Sequence, residues 1–389
     1  MKKSIVLVLV VLMTVSMLLA GCGNDSTASE SAASQEASAS ATGESAPAAD
    51  ASEGGTGTVS GKIGILMPSV VVARWADDAK SMEEAAKAIG LETEVQFADD
   101  AIETQVMQIE NMVTKGYKAL IICPVNAEAL TEVLGKAKKA GVTVISYDRL
   151  IQGTEDVDYY VTFDNIKVGE VCGQYIVDAL DLETNQGPFN LEIFTGDIAD
   201  NNAKMTLEGG MNILQPYIDN GQLVVKSGQT TLEQTATKGW ATGEAQNRMD
   251  NIMSGFYTSD KLDAIFSTYG GMSLGCIASL QALGYGTDEK PMPIITAQDG
   301  ELAIVQAVAN GTLSMSLFKD TRALAKQAID LTAASLKGET VELDASKFYD
   351  NGAFEVPTVL LDPIPFDKSN LDKVMIEDSG YWTKEDIYG

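Results

Sequence analysis

The sequence predicts an α/β protein of two lobes, each a doubly wound parallel sheet, with a ligand cleft between the lobes. From residue 62 onward, short and almost continuously apolar runs alternate with amphipathic stretches of helical spacing. This alternation is typical of parallel strands that are covered by helices on both faces. It occurs twice along the chain, and the roughly 330 residues after residue 58 suffice for two domains.

The N-terminus has the pattern of an export signal. Two lysines precede an apolar run from Ile5 to Ala20, and Leu-Ala-Gly comes directly before Cys22. The run is shorter than the roughly 20 apolar residues of a spanning helix. A cysteine at this place resembles the bacterial lipoprotein box, in which the thiol is acylated and becomes the new N-terminus. We therefore expect a signal peptide at residues 1–21 and a lipid anchor on Cys22, with palmitate as an acyl chain. The protein would be held at the outer face of the cell membrane or in the periplasm.

A low-complexity segment follows the cysteine. Residues 23–58 are mainly Ser, Ala, Gly and Glu, without Lys or Arg. Such a segment buries too little apolar surface to offset its chain entropy. We therefore interpret residues 22–58 as the lipidated cysteine and a disordered tether, which as a flexible coil would span roughly 30–36 Å.

The first α/β unit begins at residue 62. Helical spacing is clearest at Ala79, Met82 and Ala86, and Gly116 and Gly141 are the usual helix stops. Strands are predicted at 62–68, 92–98, 119–125 and 142–148, and helices at 76–89, 102–115 and 127–139.

The second unit repeats this rhythm. Its predicted strands are 189–195, 222–227, 264–268 and 292–297, and its helices are 168–179, 203–216, 244–254 and 274–283. A strand at 313–318, a helix at 322–336 and an extended piece at 357–363 come last.

Composition excludes several classes of function. The chain has no histidine, which excludes histidine triads and histidine metal ligands. Cys123, Cys172 and Cys276 lie in apolar contexts without a C-x-x-C pair, so we expect buried thiols. The net charge of −28 disfavours nucleic acid. We predict no metal and no cofactor.

One motif suggests a hydrolase. Residues 271–275 match G-x-S-x-G and lie between a predicted strand and helix, where a nucleophile elbow belongs. No histidine is present to activate the serine, and no lysine is marked as a substitute, although a serine–lysine pair stays open. We interpret the motif as a tight turn whose glycines allow close packing, and we predict no catalytic residue and no enzyme.

Polar and aromatic residues follow many of the predicted strands. Each alone is more often a cap, a turn or a surface charge, but the carboxyl ends of parallel strands meet at one edge of a sheet. Together they suit a neutral polyhydroxylated ligand, because indoles stack on sugar faces and charged or amide groups bond to hydroxyls. The candidate ligand-binding residues are Arg74, Trp75, Asp148, Arg149, Asn201, Asn202, Trp240, Asp299 and Lys319.

From residue 62 to the C-terminus, the chain resembles the type I periplasmic sugar-binding proteins. Specific matches are ISYDRLI at 145–151, YVTFDN at 160–165 and FKDTR at 318–322. The chain is most similar to the ABC-transporter receptors for several monosaccharides. The resemblance implies three crossovers between the lobes, near 163–167, 318–321 and 354–358. The N-terminal lobe would comprise 59–164 and 320–355, and the C-terminal lobe 165–319 and 356–389.

The resemblance also implies roles for the candidate residues of the first lobe. Arg74 and Trp75 would hold a sugar by hydrogen bonding and stacking, and Asp148 and Arg149 would bind ring hydroxyls.

The second lobe would supply the other half of the site. Asn202, with Asn201, would extend from this lobe to the sugar, and Trp240 would stack on the opposite sugar face. Asp299 and Lys319 would complete the set of groups that bind the sugar hydroxyls.

The implied function is a lipid-anchored solute-binding protein, expected to be a monomer. It would close its lobes on glucose, galactose, xylose or arabinose and deliver the sugar to an ABC permease in the membrane. One alternative is a sugar-sensing subunit for a chemoreceptor or sensor kinase. Another is a receptor for a furanose signal or a nucleoside. The preferred sugar stays open, since Gly270 stands where the family tends to have Asp.

Overall fold

The computed structural model describes residues 61–341, 343–344 and 347–389. The predicted signal peptide, Cys22 and the tether lie outside the described residues. Among the described residues, no helix is long and apolar enough to span a membrane.

The N-terminal lobe is built on a six-stranded parallel sheet. The strands are β1 (Lys62–Met67), β2 (Glu92–Phe97), β3 (Ala119–Ile122), β4 (Thr143–Tyr147), β5 (Tyr159–Phe163) and the late strand β13 (Thr358–Leu361). They lie in the order β13–β5–β4–β3–β1–β2. The helices of this lobe are α1 (Arg74–Ala88), α2 (Ile102–Thr114), α3 (Thr131–Lys139) and α10 (Thr321–Lys337). Ile63, Ile121 and Ile145 are fully buried, because helices cover the sheet on both faces.

The C-terminal lobe contains a four-stranded parallel sheet and a separate antiparallel pair. The strands are β6 (Phe189–Phe194), β7 (Leu223–Val224), β8 (Ala264–Ser267), β9 (Ile294–Ile295), β10 (Met315–Phe318) and β14 (Ile364–Asp367). The parallel order is β7–β6–β8–β9, and β10 pairs with β14. The helices are α4 (Asn165–Ala179), α5 (Asn201–Asp219), α6 (Leu232–Thr235), α7 (Thr242–Phe256), α8 (Gly270–Ala282), α9 (Leu302–Asn310) and α11 (Lys384–Tyr388).

Three shorter elements complete the described fold. They are the hairpin of β11 (Tyr349–Asp350) and β12 (Glu355–Val356), a 3₁₀ turn at Lys238–Trp240 and a π-helical turn at Asp372–Asp378.

The chain passes between the lobes at three places. The first two lie between β5 and α4 and between β10 and α10. The third corrects the predicted lobe boundary at 355/356. Strand β13 pairs with β5 in the N-terminal sheet, with Thr358 opposite Tyr160, so the chain crosses only after Leu361. The apolar β13 covers the edge of β5, which would otherwise be left unpaired.

The G-x-S-x-G segment is not a turn, contrary to the sequence interpretation. It lies inside α8, which begins at Gly270. Ser273 is fully buried, and its hydroxyl donates to the carbonyl of Thr296 at 2.9 Å. The motif therefore presents no exposed serine. The three cysteines of the described residues are buried free thiols, as predicted.

Candidate ligand-binding site

A cavity lies where the carboxyl ends of strands from both lobes meet. Eight of the nine candidate residues line it, and the exception is Asn201. The lining residues are Val72, Arg74, Trp75, Asp148, Arg149, Asp200, Asn202, Trp240, Tyr269, Gln298, Asp299 and Lys319.

Arg74 forms the charged centre of the cavity. It begins α1, and its guanidinium pairs with Asp78 at 3.0 Å, Asp148 at 3.1 Å and Asp299 at 3.1 Å. Burial alone lowers the pKa of a guanidinium. The attraction of these carboxylates outweighs burial, so the pKa of Arg74 lies well above its ordinary value. Since Asp299 follows β9, this cluster also joins the two lobes.

A second connection runs from one indole to the other. The guanidinium of Arg149 lies 5.2 Å from the ring centre of Trp75. Its Nε lies 2.8 Å from Oδ2 of Asp200, which also accepts a hydrogen bond from Nε1 of Trp240 at 3.1 Å. Asp200 therefore links Arg149 of the N-terminal lobe to Trp240 of the C-terminal lobe.

Amide side chains hold the other polar residues of the cavity wall in place. Asn202 Nδ2 donates to the carbonyl oxygen of Asp148 at 3.0 Å, and its Oδ1 accepts from Asn165 Nδ2 at 2.9 Å. Lys319 Nζ donates to Asn165 Oδ1 at 3.1 Å. Burial lowers the pKa of Lys319, although the nearby carboxylates oppose this effect. Asn165 was not predicted, and it orients two residues that were.

Backbone strain is concentrated at the cavity. Six non-glycine residues of the described part have positive φ, and three of them line the cavity. These are Asp148 (φ 60°), Trp240 (φ 56°) and Asp299 (φ 80°). Such conformations persist only where the surroundings hold them, and they cluster at functional sites. The strain supports a functional role for this cavity.

Several buried polar atoms of the cavity have hydrogen-bonding capacity to spare. Nine buried side-chain atoms of the described residues lack an aligned hydrogen bond, and five belong to lining residues. Trp75 Nε1 and Gln298 Oε1 have no partner at all, while Arg74 Nη2, Asp148 Oδ2 and Arg149 Nε have only ion pairs whose angles are poor for hydrogen bonding. Because such atoms are rare in native interiors, their clustering points to a polar ligand.

At two positions singled out in the sequence, Asn201 and Gly270, the local structure differs from the expectation. Asn201 faces a separate surface pocket, with its Nδ2 3.2 Å from Met205 Sδ, so its part in the site stays a prediction. Tyr269, and not Gly270, lines the cavity. A side chain at Gly270 would place Cβ 2.2 Å from Ile304 Cδ1, so an Asp there would require Ile304 to move.

The candidate list lacked four lining residues. Asp200 and Gln298 stand beside candidates in the sequence, and Asp200 also caps α5 by accepting from the backbone N–H of Asn202. Tyr269 follows β8, and its ring packs edge-on against Trp240 with centroids 6.1 Å apart. The position of Tyr269 after a strand was the sequence signal that could have identified it as a lining residue. Val72 had no such signal.

The comparisons with known proteins identify the family. A model described as the periplasmic binding protein domain matches residues 63–340. The chain belongs to this family. The type I α/β fold and the family resemblance predicted from the sequence are thereby confirmed. Members of the family are extracytoplasmic solute-binding proteins.

Similar proteins match this periplasmic binding protein along most of its length. The multiple sugar-binding periplasmic receptor ChvE of Rhizobium radiobacter is 45% identical over 327 residues, which are 84% of this chain and 92% of the relative. A solute-binding protein of Clostridium phytofermentans with bound β-D-glucose is 44% identical, with a TM-score of 0.80 over 84% of this chain and 99% of its own. A carbohydrate-transporter protein of Chloroflexus aurantiacus with D-glucose is 31% identical, with a TM-score of 0.75 and coverage of 83% and 97%.

Proposed function

We propose that this protein binds a pyranose outside the cytoplasm and delivers it to an ABC permease. Glucose, galactose, xylose and arabinose are the candidate ligands. The observation that carries the proposal is the cavity between the lobes, with two indoles and several polar atoms that lack aligned hydrogen bonds. Similar proteins named for sugar binding, and similar structures that hold glucose, support the same ligand class.

The chemistry of the cavity suits a pyranose. The indoles of Trp75 and Trp240 offer apolar surfaces for the C–H faces of the ring. Carboxylates accept from hydroxyls, cations donate to oxygen atoms, and amides do both. Arg74 and Arg149 are paired with carboxylates and Lys319 has carboxylates nearby, so a neutral ligand would add no unpaired charge to the cavity. The residues proposed to contact the sugar are Arg74, Trp75, Asp148, Arg149, Asn201, Asn202, Trp240, Asp299 and Lys319.

Closure of the lobes is the proposed mechanism of capture. A sugar that touches both lobes favours the closed arrangement, because only that arrangement supplies both halves of its hydrogen-bonding shell. The closed form is the one that the permease would recognise. A lipid on Cys22 would hold the protein at the membrane through the tether of residues 22–58.

A sugar titration tests this proposal. The chain from residue 22 onward, with Cys22→Ser, is titrated with glucose, galactose, xylose, arabinose and ribose. Calorimetry and the melting temperature are recorded. Saturable binding of a pyranose that raises the melting temperature is expected, because a ligand of the native state stabilises it. A chain that responds to none of the pyranoses contradicts the proposal and directs the search to furanoses and nucleosides.

A further inference from the structure

We infer that Trp382 and Ser316 are positioning residues that hold the backbone at Asp299 and so aim its carboxylate into the cavity. Neither residue lines the cavity. The inference rests on the proposed function, since it gives these two residues a part in sugar binding.

The backbone at Asp299 needs support from its surroundings. Its φ of 80° lies in the left-handed region, which a non-glycine residue keeps only when neighbouring groups hold it there. Its Oδ1 pairs with Arg74 Nη1 of the other lobe at 3.1 Å. A small rotation of this backbone would therefore move the Asp299 carboxylate, which forms an ion pair between the two lobes.

Three hydrogen bonds fix the peptide groups around Asp299. Its N–H donates to the carbonyl of Leu317 at 2.8 Å, as part of the backbone. The hydroxyl of Ser316 donates to the carbonyl of Asp299 at 2.8 Å. The indole Nε1 of Trp382 donates to the carbonyl of Gly300 at 2.7 Å. The last two bonds come from side chains, so each can be removed singly.

The indole of Trp382 is itself well fixed. Its ring packs edge-on against Tyr381, with centroids 5.4 Å apart. Tyr381 packs in the same way against Phe318 at 5.0 Å, and its hydroxyl is 2.8 Å from the hydroxyl of Thr321. Phe318 and Thr321 flank the second crossover. The segment of Tyr381 and Trp382 thus braces the loop of Asp299 against that crossover.

Two conservative variants test the inference on the chain from residue 22 onward with Cys22→Ser. Trp382→Phe keeps a ring but loses the N–H, and Ser316→Ala loses the hydroxyl. Each is expected to weaken binding of the best pyranose by about three- to tenfold, since one hydrogen bond contributes about that much. Calorimetry measures the affinity, and the melting temperature without sugar checks folding. Tyr388→Phe is the matched control. It removes a hydrogen bond to Asp372 in the same C-terminal segment, and unchanged affinity is expected.

A double-mutant cycle separates positioning from general loosening of the fold. In an Asp299→Asn background, Trp382→Phe and Ser316→Ala should change the affinity less than about twofold, because the carboxylate they position is gone.

Three results overturn the inference. Unchanged affinity in both single variants does so, and so does the same loss with and without Asp299→Asn. If one variant fails to fold, the other decides. A wild-type chain that binds none of the sugars overturns the proposed function, and the inference with it.

Discussion

The carboxylate of Asp200 has three partners from different parts of the chain. Oδ1 accepts from the backbone N–H of Asn202 and so caps α5, while Oδ2 meets Arg149 and the indole of Trp240. Burial raises the pKa of Asp200, although Arg149 opposes this effect. This one side chain therefore caps the start of α5, connects the two lobes and orients the indole of Trp240. Its loss would disturb all three.

Asp200→Asn is expected to weaken sugar binding by about tenfold or more and to lower the melting temperature. The amide oxygen can still accept from Trp240, but Arg149 remains buried without its counter-charge, at a cost of about 1–3 kcal/mol. Calorimetry and thermal unfolding measure the two effects. Asp260→Asn is the control, because it removes an exposed partner of Lys226 and should cost less than about 1 kcal/mol. Equal effects of the two variants would argue against a special role for Asp200.

Asp78 predicts a pH dependence of stability. Burial raises its pKa from 3.8 to about 6, although Arg74 opposes this effect. The native state thus binds this proton more tightly than the unfolded chain does. The contribution of Asp78 to the free energy of unfolding therefore falls as the pH rises from about 4 to about 6.

The variant Asp78→Asn cannot titrate and lacks this fall. Its melting temperature minus that of the wild type should therefore move upward between pH 4 and pH 6.5, as followed by thermal unfolding. Other titrating groups largely cancel in the difference. A difference that stays constant, or moves downward, would contradict the assignment.

At the scale of residues, the sequence identifies those whose chemistry and position after a strand are both visible. Trp75, Asp148 and Lys319 meet both conditions and line the cavity. Residues such as Asn165 are not identified from the sequence, because they act by contacting other side chains and such contacts depend on the tertiary fold. The sugar-binding role of the lining residues stays a prediction.

Helices α4 and α5 approach each other very closely in the C-terminal lobe. A Cβ at Gly169 would lie 2.1 Å from the carbonyl oxygen of Thr206, and one at Gly209 would lie 2.0 Å from that of Ile166. The contact therefore depends on glycine on both helices, since a larger residue would push the backbones apart.

Gly169→Ala is expected to destabilise the protein by about 1–3 kcal/mol, because the methyl group cannot fit without movement of α5. Thermal unfolding should show a lower melting temperature. Gly255→Ala in α7 is the matched control. Its Cβ would meet open space, so a stabilisation of about 0.5–1 kcal/mol is expected from helix propensity. A stable Gly169→Ala would mean that the helices can separate at little cost.

The predicted elements agree best with the observed ones where the pattern of apolar residues is strong. Strands β1 and β2 differ from their predicted bounds by only one residue at the C-terminal end. Strands β7 and β9 have only two residues each, because apolar composition alone does not fix how far a ladder extends. Helix α9 was missed because its nine residues, LAIVQAVAN, are almost all apolar, and a short apolar run cannot be assigned to a helix or a strand by periodicity alone.

At the scale of the whole molecule, the lobes meet through direct contacts at the cavity wall. Arg74 pairs with Asp299 and Arg149 pairs with Asp200, in each case from one lobe to the other. These pairs form only while the lobes are in contact, as they are in the closed arrangement that the proposed function requires. The two-lobed plan followed from the sequence, whereas the place of β13 did not, because no local pattern states which sheet a late strand joins.

The proposed lipid anchor on Cys22 gives a prediction for the full chain. If Cys22 carries the proposed lipid, Cys22→Ser should move the protein from the membrane fraction to the soluble fraction, because the thiol that would be acylated is lost. Cell fractionation and incorporation of labelled palmitate measure this change. Sugar affinity should not change, which serves as the internal control. A variant that still sediments with membranes would require another anchor.

Strand β13 has a consequence for how the protein is made. It pairs with β5 across almost 200 residues of sequence, and the whole parallel sheet of the C-terminal lobe lies between the two strands. The sheet that begins at Lys62 therefore cannot be finished until Leu361 has been synthesised. We expect a nascent chain to stay incompletely folded until β13 has left the ribosome, and an incompletely folded chain is the state that a secretion channel can thread.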